Sequence, residues 1–117
     1  MTDSVIYRLF DLEVWAKFEQ EGIFRGTDVD LRDGFIHFSA HDQVVATADK
    51  HYKANPALVM AAISADQSQA ELKWEVSRGG AKFPHLYRDL MFSDIKAYWE
   101  LPANGQGGYI WPDGFKN

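Results

Sequence analysis

The sequence predicts an α+β domain built on a strongly bent or split antiparallel sheet, with two helices in its N-terminal half. Residues 5–10 are rich in β-branched and aromatic side chains, which is typical of a strand. Residues 58–63 form a continuous apolar run, which indicates a strand buried on both faces at the centre of a sheet. Residues 71–77 alternate polar and apolar side chains, so we expect a strand with one face toward the core.

The first helix is predicted from the residues at its two ends. Asp11 suits the N-cap of a helix over residues 12–21, because its carboxylate can accept from a free backbone N–H of the first turn. Gly22 suits the end of this helix, because glycine readily adopts the left-handed conformation. We expect residues 23–27 to be short and extended.

The next segment predicts a turn, a strand and a second helix in close succession. Residues 28–34 are acidic and typical of turns, and residues 35–38 form a short apolar strand. Ser39 suits the N-cap of a helix that runs to about Tyr52. The N-terminus of that helix would lie beside His37, and its unpaired N–H groups would favour an anion. We therefore expect a pocket here that holds a phosphate.

The C-terminal half contains further strands and a basic loop. The side chains of residues 71–77 that are expected to contact the core are Leu72, Trp74 and Val76. Glu75 lies on the opposite face, toward solvent or a cleft. Residues 77–82 form a glycine-containing basic loop, and residues 95–101 are predicted to form the last strand.

Length and composition limit the classes of protein to which this chain can belong. A chain of 117 residues fits a single domain over residues 1–117, and 46% apolar residues can fill a core. The net charge of −5 disfavours capture of extended nucleic acid or of an anionic membrane. The chain has no cysteine, which excludes disulfides and thiolate chemistry. No apolar run approaches the roughly 18 residues of a membrane span, and we expect a cytoplasmic protein without a membrane partner.

A metal centre is not expected from the histidines. His37 and His41 are four residues apart, which is the spacing of a zinc-binding pair on a helix. Ser39 as an N-cap would place His37 before that helix, so the two rings need not share a face. A site of His37, His41 and His85 stays open as a minor alternative.

The order of motifs resembles a known bacterial family. The segments that carry the resemblance are Ile6-Tyr7-Arg8, Trp15, Glu21-Gly22, Asp33-Gly34-Phe35-Ile36-His37-Phe38-Ser39, Trp74-Glu75 and Phe83-Pro84-His85-Leu86-Tyr87. Together they span nearly the whole chain and resemble domain-of-unknown-function family 952. The resemblance implies a fold similar to that of ADP-ribosyltransferases and the related RNA 2′-phosphotransferases. Family members more often have His at the position of Arg8, which is a departure from the pattern.

The resemblance also implies roles for individual residues. The cofactor- or ligand-binding residues would be Arg8, His37, Ser39 and Tyr87, and the catalytic residues would be Glu75 and His85. A carboxylate near the ribose would stabilise the positive charge that develops when a nicotinamide glycosidic bond breaks. The implied ligand is a small nucleotide-like molecule such as NAD, ADP-ribose or a related phosphorylated nucleotide, and the implied enzyme is an NAD-dependent transferase or a nucleotide-processing enzyme.

Structural roles are open for the same residues. Arg8 is also explained as a salt-bridged residue of a strand, His37 as a buried imidazole, and Glu75 as a solvent-facing residue of an alternating strand. A second interpretation of the whole chain is a non-catalytic module that binds a metabolite or a protein. Its contact residues would be exposed aromatic side chains: Trp99, Tyr109 and Trp111.

Overall fold

A computed structural model describes residues 4–52, 56–113 and 115. The strands form two three-stranded antiparallel sheets and one two-stranded antiparallel ribbon. The first sheet has the order β1-β4-β8, where the strands are β1 (Val5–Asp11), β4 (Ala57–Ser64) and β8 (Ile95–Pro102). The second sheet has the order β3-β6-β5, where the strands are β3 (Ile36–His37), β5 (Leu72–Val76) and β6 (Lys82–Leu86). The ribbon pairs β2 (Ile23–Phe24) with β7 (Leu90–Met91).

Helices connect these strands. The α-helices are α1 (Leu12–Glu21), α2 (Asp28–Asp33) and α3 (Val44–His51). Short 3₁₀ helices occur at Asp66–Glu71, Arg78–Gly80 and Phe92–Asp94. Within the described ranges, none of these helices has the length and apolarity needed to cross a membrane. The predicted α+β class with a split antiparallel sheet is confirmed, and its likeness to ADP-ribosyltransferases stays a prediction.

The central strand β4 separates two apolar clusters. Val59, Ala61 and Ile63 belong to one cluster, whereas Leu58 and Met60 belong to the other. Because successive side chains of a strand point to opposite faces, the clusters lie on the two faces of the first sheet. The apolar run in the sequence therefore predicted the central strand correctly.

Helix α1 also has the predicted bounds, since its signals are local. The Asp11 carboxylate accepts from the backbone N–H of Val14 at 2.9 Å. Gly22 ends the helix with a left-handed φ of 78°. The helix packs its apolar face on β1, where Trp15 and Phe18 contact the ring of Phe10. Both ends of α1 are thus confirmed.

The predicted helix cap at Ser39 is wrong. Ser39 pairs with Tyr7 through two backbone hydrogen bonds of 2.8 Å, and this bridge joins the first sheet to the segment that follows β3. Ser39 is therefore extended, and its hydroxyl lies 3.2 Å from the Thr47 hydroxyl. Helix α3 begins only at Val44, after Gln43. Because the N-cap is Gln43, four positions after Ser39, the N-terminus of the helix does not form the predicted anion site beside His37.

Other sequence predictions also need correction. Residues 28–33 form a short helix instead of turns, because Thr27 and Asp30 form a capping box. Val76 is 64% exposed and does not face the core. The aromatic residues expected to be exposed are packed against one of the apolar clusters: Trp99, Tyr109 and Trp111. Tyr109 is buried, whereas Trp99 and Trp111 are half-buried and keep part of their surface exposed.

Candidate functional site

Arg8 lies at the centre of the candidate site, in the interior of the protein. It is only 7% exposed, although it carries a permanent charge. Both of its Nη groups donate to the carboxylate of Asp30, at 3.0 and 2.9 Å. One of them also donates to the backbone carbonyl of His37 at 2.8 Å. This two-point contact fixes the orientation of the guanidinium plane and compensates its charge.

Asp30 is a buried carboxylate with several donors. In addition to Arg8, it accepts from the backbone N–H of Thr27 at 2.7 Å and from that of His37 at 3.1 Å. Burial by itself would raise the pKa of Asp30, but the hydrogen bond from His37 and the charge of Arg8 hold that pKa well below its ordinary value. Asp30 is therefore ionised and acts only as an acceptor.

Gly26 allows the chain to pass close to this carboxylate. A Cβ atom at position 26 would lie 2.7 Å from the Cβ of Asp30, and the φ of 117° is one that other residues rarely adopt. Glycine is needed here for both reasons. The segment from Gly26 to Asp30 is thus folded tightly around the acceptor.

The ring of His37 lies between two carboxylates. Its Nδ1 is 2.7 Å from Oδ1 of Asp30, and its Nε2 is 3.1 Å from Oδ2 of Asp33. The pKa of Asp33 is also lowered, chiefly by the hydrogen bond from Arg32, so both carboxylates accept. An imidazole that donates from both nitrogens is the positively charged form. Both ring nitrogens of His37 therefore lie within hydrogen-bonding distance of a carboxylate oxygen, and the ring is charged only when both of them carry a proton.

A cleft of about 660 Å³ opens beside these groups. Arg8 and His37 lie on its wall together with Asp30 and Asp33. The remaining lining includes hydroxyl-bearing side chains from several elements, namely Tyr7, Thr27, Ser39, Thr47, Tyr52 and Ser77. The cleft therefore combines a charged network with neutral hydrogen-bonding groups.

A second polar cluster lies on the second sheet. His85 donates from Nδ1 to Oε1 of Glu75 at 2.8 Å, and the hydroxyl of Tyr87 donates to the same oxygen at 2.7 Å. These bonds, that from His85 first, lower the pKa of Glu75. The ring of Phe35 stacks on His85 with a centroid separation of 4.0 Å. His85 is 3% exposed, and its Nε2 has no hydrogen-bond partner in the described part of the chain.

The two predicted histidines are neighbours across one strand pair. His37 of β3 is directly opposite His85 of β6, and their ring centroids are 5.4 Å apart. Nevertheless, His85 does not line the cleft of His37, and neither does Glu75 or Tyr87. The structure thus groups Arg8, His37 and Ser39 at the cleft, and groups Glu75, His85 and Tyr87 in a separate hydrogen-bonded cluster that does not line it.

A metal centre of the three histidines finds no geometric support. Among residues 4–52, 56–113 and 115, the histidine and acidic side chains form no group of three or more with an arrangement that suits a metal ion. His41 contacts the ring of Tyr7 instead, at a centroid separation of 6.0 Å.

Comparison with known proteins places the chain among its relatives. The family described as "Protein of unknown function (DUF952)" matches residues 9–98. The chain belongs to the DUF952 family. No curated protein matches the chain significantly.

Solved structures similar to this DUF952 chain come from Caulobacter crescentus. The crystal structure of protein CC0527 is 40% identical, covers 92% of this chain and 94% of its own, and superposes with a TM-score of 0.86. The solution NMR structure of CC0527 is 42% identical, covers 89% of this chain and 90% of its own, and has a TM-score of 0.78. Both support the bacterial family that the motifs indicated.

Sequence reasoning missed three members of the site in this DUF952 chain. The sequence placed Asp30 and Asp33 in an acidic turn and Thr27 at the end of a short extended segment, with no role in a site. The available signal was Thr27 followed three residues later by Asp30, a variant of the capping-box pattern that indicates a helix start. Nothing local in the sequence indicated that Asp30 would also bind Arg8, which lies 22 positions away.

Proposed function

We propose that this protein binds a nucleotide-like ligand, such as NAD, ADP-ribose or a related phosphorylated nucleotide, in the cleft beside Arg8 and His37. The observation that carries the proposal is the ring of His37 on the wall of that cleft, where each of its two nitrogens lies within hydrogen-bonding distance of an ionised carboxylate. The cleft volume of about 660 Å³ supports it, because pockets for small molecules and cofactors are commonly about 300–1,000 Å³.

The chemistry of the wall supports a ligand with phosphate and sugar groups. His37 can donate from Nε2 to a phosphate or ribose oxygen. The hydroxyl oxygens of Ser39 and Thr47 can accept from ribose hydroxyls, since Thr47 donates its own proton to the carbonyl of Gln43 and Ser39 donates to Thr47. Arg8 has an indirect role, because both of its Nη groups already bind Asp30 and one also binds the carbonyl of His37. It positions His37 through that backbone carbonyl.

Turnover of the ligand is an extension of this proposal. Glu75 and His85 are the catalytic residues that the family resemblance implies, for an NAD-dependent transferase or a nucleotide-processing enzyme. They do not line the cleft, so a reaction on them requires a ligand that extends beyond the cleft to the second sheet. Tyr87 would act there through Glu75, because its hydroxyl binds that carboxylate.

A non-catalytic binding module is the second candidate function. The observation that favours it is the occupation of the charged groups by each other, since Arg8 is held by Asp30 and Glu75 is held by His85. Such a module binds the ligand in the same cleft and leaves it intact. Incubation with NAD, followed by chromatography of the products, separates the two candidates.

Calorimetric titration with NAD, ADP-ribose and nucleoside 2′-phosphates tests the binding itself. We expect at least one of them to bind the wild-type chain and to raise its melting temperature. His37→Gln should weaken that binding at least about tenfold, because a charge-assisted hydrogen bond contributes about 1.5–3 kcal/mol. The matched control is His41→Gln, since His41 is exposed and does not line the cleft. Absence of binding by all of these ligands would refute the proposal.

A further inference from the structure

Asp33 occupies the position on His37 where a ligand oxygen would bind. Its Oδ2 lies 3.1 Å from Nε2 of His37 and 3.5 Å from Nη2 of Arg32. Its Oδ1 accepts from Nε of Arg32 at 3.0 Å. One carboxylate is thus enclosed by an imidazole and a guanidinium, which is the donor set that proteins use for phosphates. All three side chains line the cleft.

The carboxylate of Asp33 is held less firmly than that of Asp30. The side chain of Asp33 is 30% exposed, whereas that of Asp30 is 2% exposed. Arg32 is 72% exposed, and ion pairs between exposed groups contribute little to stability. Asp33 is also the last residue of α2, where the helix dipole disfavours a negative charge. Displacement of the Asp33 carboxylate into solvent therefore costs little free energy.

We propose that Asp33 is an internal competitor, whose carboxylate fills the anion position between Arg32 and His37 until a phosphate group of the ligand replaces it. The inference rests on the proposed function, since it assigns the atoms that hold the phosphate in that cleft. When the phosphate binds, the Nε2 of His37 and the fork of Arg32 transfer from Asp33 to the phosphate oxygens. The Asp33 side chain then turns to solvent.

Displacement of Asp33 also distinguishes phosphorylated ligands from carboxylates. A phosphate presents more acceptor oxygens and more negative charge than a carboxylate, so it competes better against a tethered carboxylate. A ligand carboxylate would replace the Asp33 carboxylate with the same type of acceptor, so the exchange gains no binding free energy. The site therefore selects phosphorylated ligands over carboxylates, although both are anions.

Removal of the competitor is the direct test. In Asp33→Ala we expect binding of ADP-ribose and of inorganic pyrophosphate to tighten about fivefold at low ionic strength, because the ligand no longer displaces a bound carboxylate. In the double variant Asp33→Ala/His37→Gln this gain should be lost. Asp42→Ala is the matched control, since it removes an exposed carboxylate that does not line the cleft.

The results separate this inference from the proposed function. Tighter pyrophosphate binding in Asp33→Ala, with no nucleotide bound by any variant, supports the competitor and refutes the nucleotide proposal. Equal nucleotide binding by wild type and Asp33→Ala overturns the competitor alone, and so does an equal gain in Asp42→Ala. Failure of every variant to bind either probe overturns the inference as well. If Asp33→Ala does not fold, Asp33→Asn removes the charge with the shape retained and has the same expected result.

Discussion

At the scale of single residues, Asp30 determines the shape of the site. Its carboxylate joins α2 to β1 through Arg8 and to β3 through His37. A buried ion pair of this kind adds little compared with an apolar pair of equal volume, but the loss of one partner is costly. The bonds of Asp30 therefore hold the site in one arrangement and keep the guanidinium of Arg8 from being an unpaired buried charge.

Asp30→Asn is expected to lower the free energy of unfolding by about 3–5 kcal/mol at pH 7, because it leaves Arg8 buried without an anion. The effect should depend on pH. The folded-state pKa of Asp30 lies below the ordinary value of 3.8, so its contribution is complete above about pH 4 and is lost as the pH falls toward the folded pKa. Urea unfolding of both proteins between pH 7 and pH 2 measures this.

The same curves contain an internal check on Asp30. The difference between wild type and Asp30→Asn should shrink below about pH 4, where the wild-type carboxyl begins to lose its advantage. Asp28→Asn is the matched control, since Asp28 lies on the same helix and is exposed. A difference that stays constant down to pH 2 would contradict the assigned pKa direction.

Residue roles could be predicted from the sequence only where a local motif marked them. His37 stands in a recognisable motif, and it does lie on the cleft. The position of Arg8 in a strand was predicted, but its partner was not, because Asp30 approaches it through the fold of the chain. His85 was predicted to share a pocket with His37, and the structure brings the rings together while Phe35 covers His85.

At the scale of elements, the turn after α1 depends on one glycine. Gly22 has a φ of 78°, and a Cβ at this position would meet nothing within 4 Å. Gly22→Ala should therefore destabilise the protein by about 1 kcal/mol, through the backbone conformation and not through a clash. Thermal unfolding monitored by circular dichroism measures the loss. Gly22→Asn should lose less, because asparagine tolerates the left-handed conformation; equal losses would argue against this cause.

Helix α1 and helix α3 differ in how well their beginnings could be predicted. The cap of α1 is a contact between Asp11 and Val14, three residues away, so the sequence contains it. The prediction for α3 depended on Ser39 as a cap, but Ser39 is paired with Tyr7, 32 positions earlier. A pairing between distant segments overrides a local preference, and a single sequence does not display such a pairing.

At the scale of the whole molecule, β4 carries the core. It pairs with β1 on one side and β8 on the other, and it packs apolar clusters on both faces. An uninterrupted apolar run was sufficient to predict this central position. The partition of the other strands into two sheets and a ribbon could not be predicted, because strand partners are chosen by contacts far apart in sequence.

A substitution at Met60 tests how much the central strand β4 contributes to the stability of the protein. Met60→Ala should lower the free energy of unfolding by about 2–5 kcal/mol, because it removes a fully buried side chain and leaves a cavity. Met91→Ala makes the same chemical change at a residue that is 42% exposed, and we expect an effect of at most about 0.5 kcal/mol. Denaturant titration of the two variants compares them directly. Similar losses would show that β4 is not the centre of the core.

The bridge between Tyr7 and Ser39 has a consequence for the dimensions of any bound molecule. Both residues line the cleft, and two backbone hydrogen bonds of 2.8 Å join β1 there to the segment that follows β3. A broad ligand that separates these two segments must break both hydrogen bonds between Tyr7 and Ser39, which costs about 1–3 kcal/mol. A narrow ligand leaves both hydrogen bonds intact. We therefore expect the cleft to accept narrow, extended molecules more readily than broad ones.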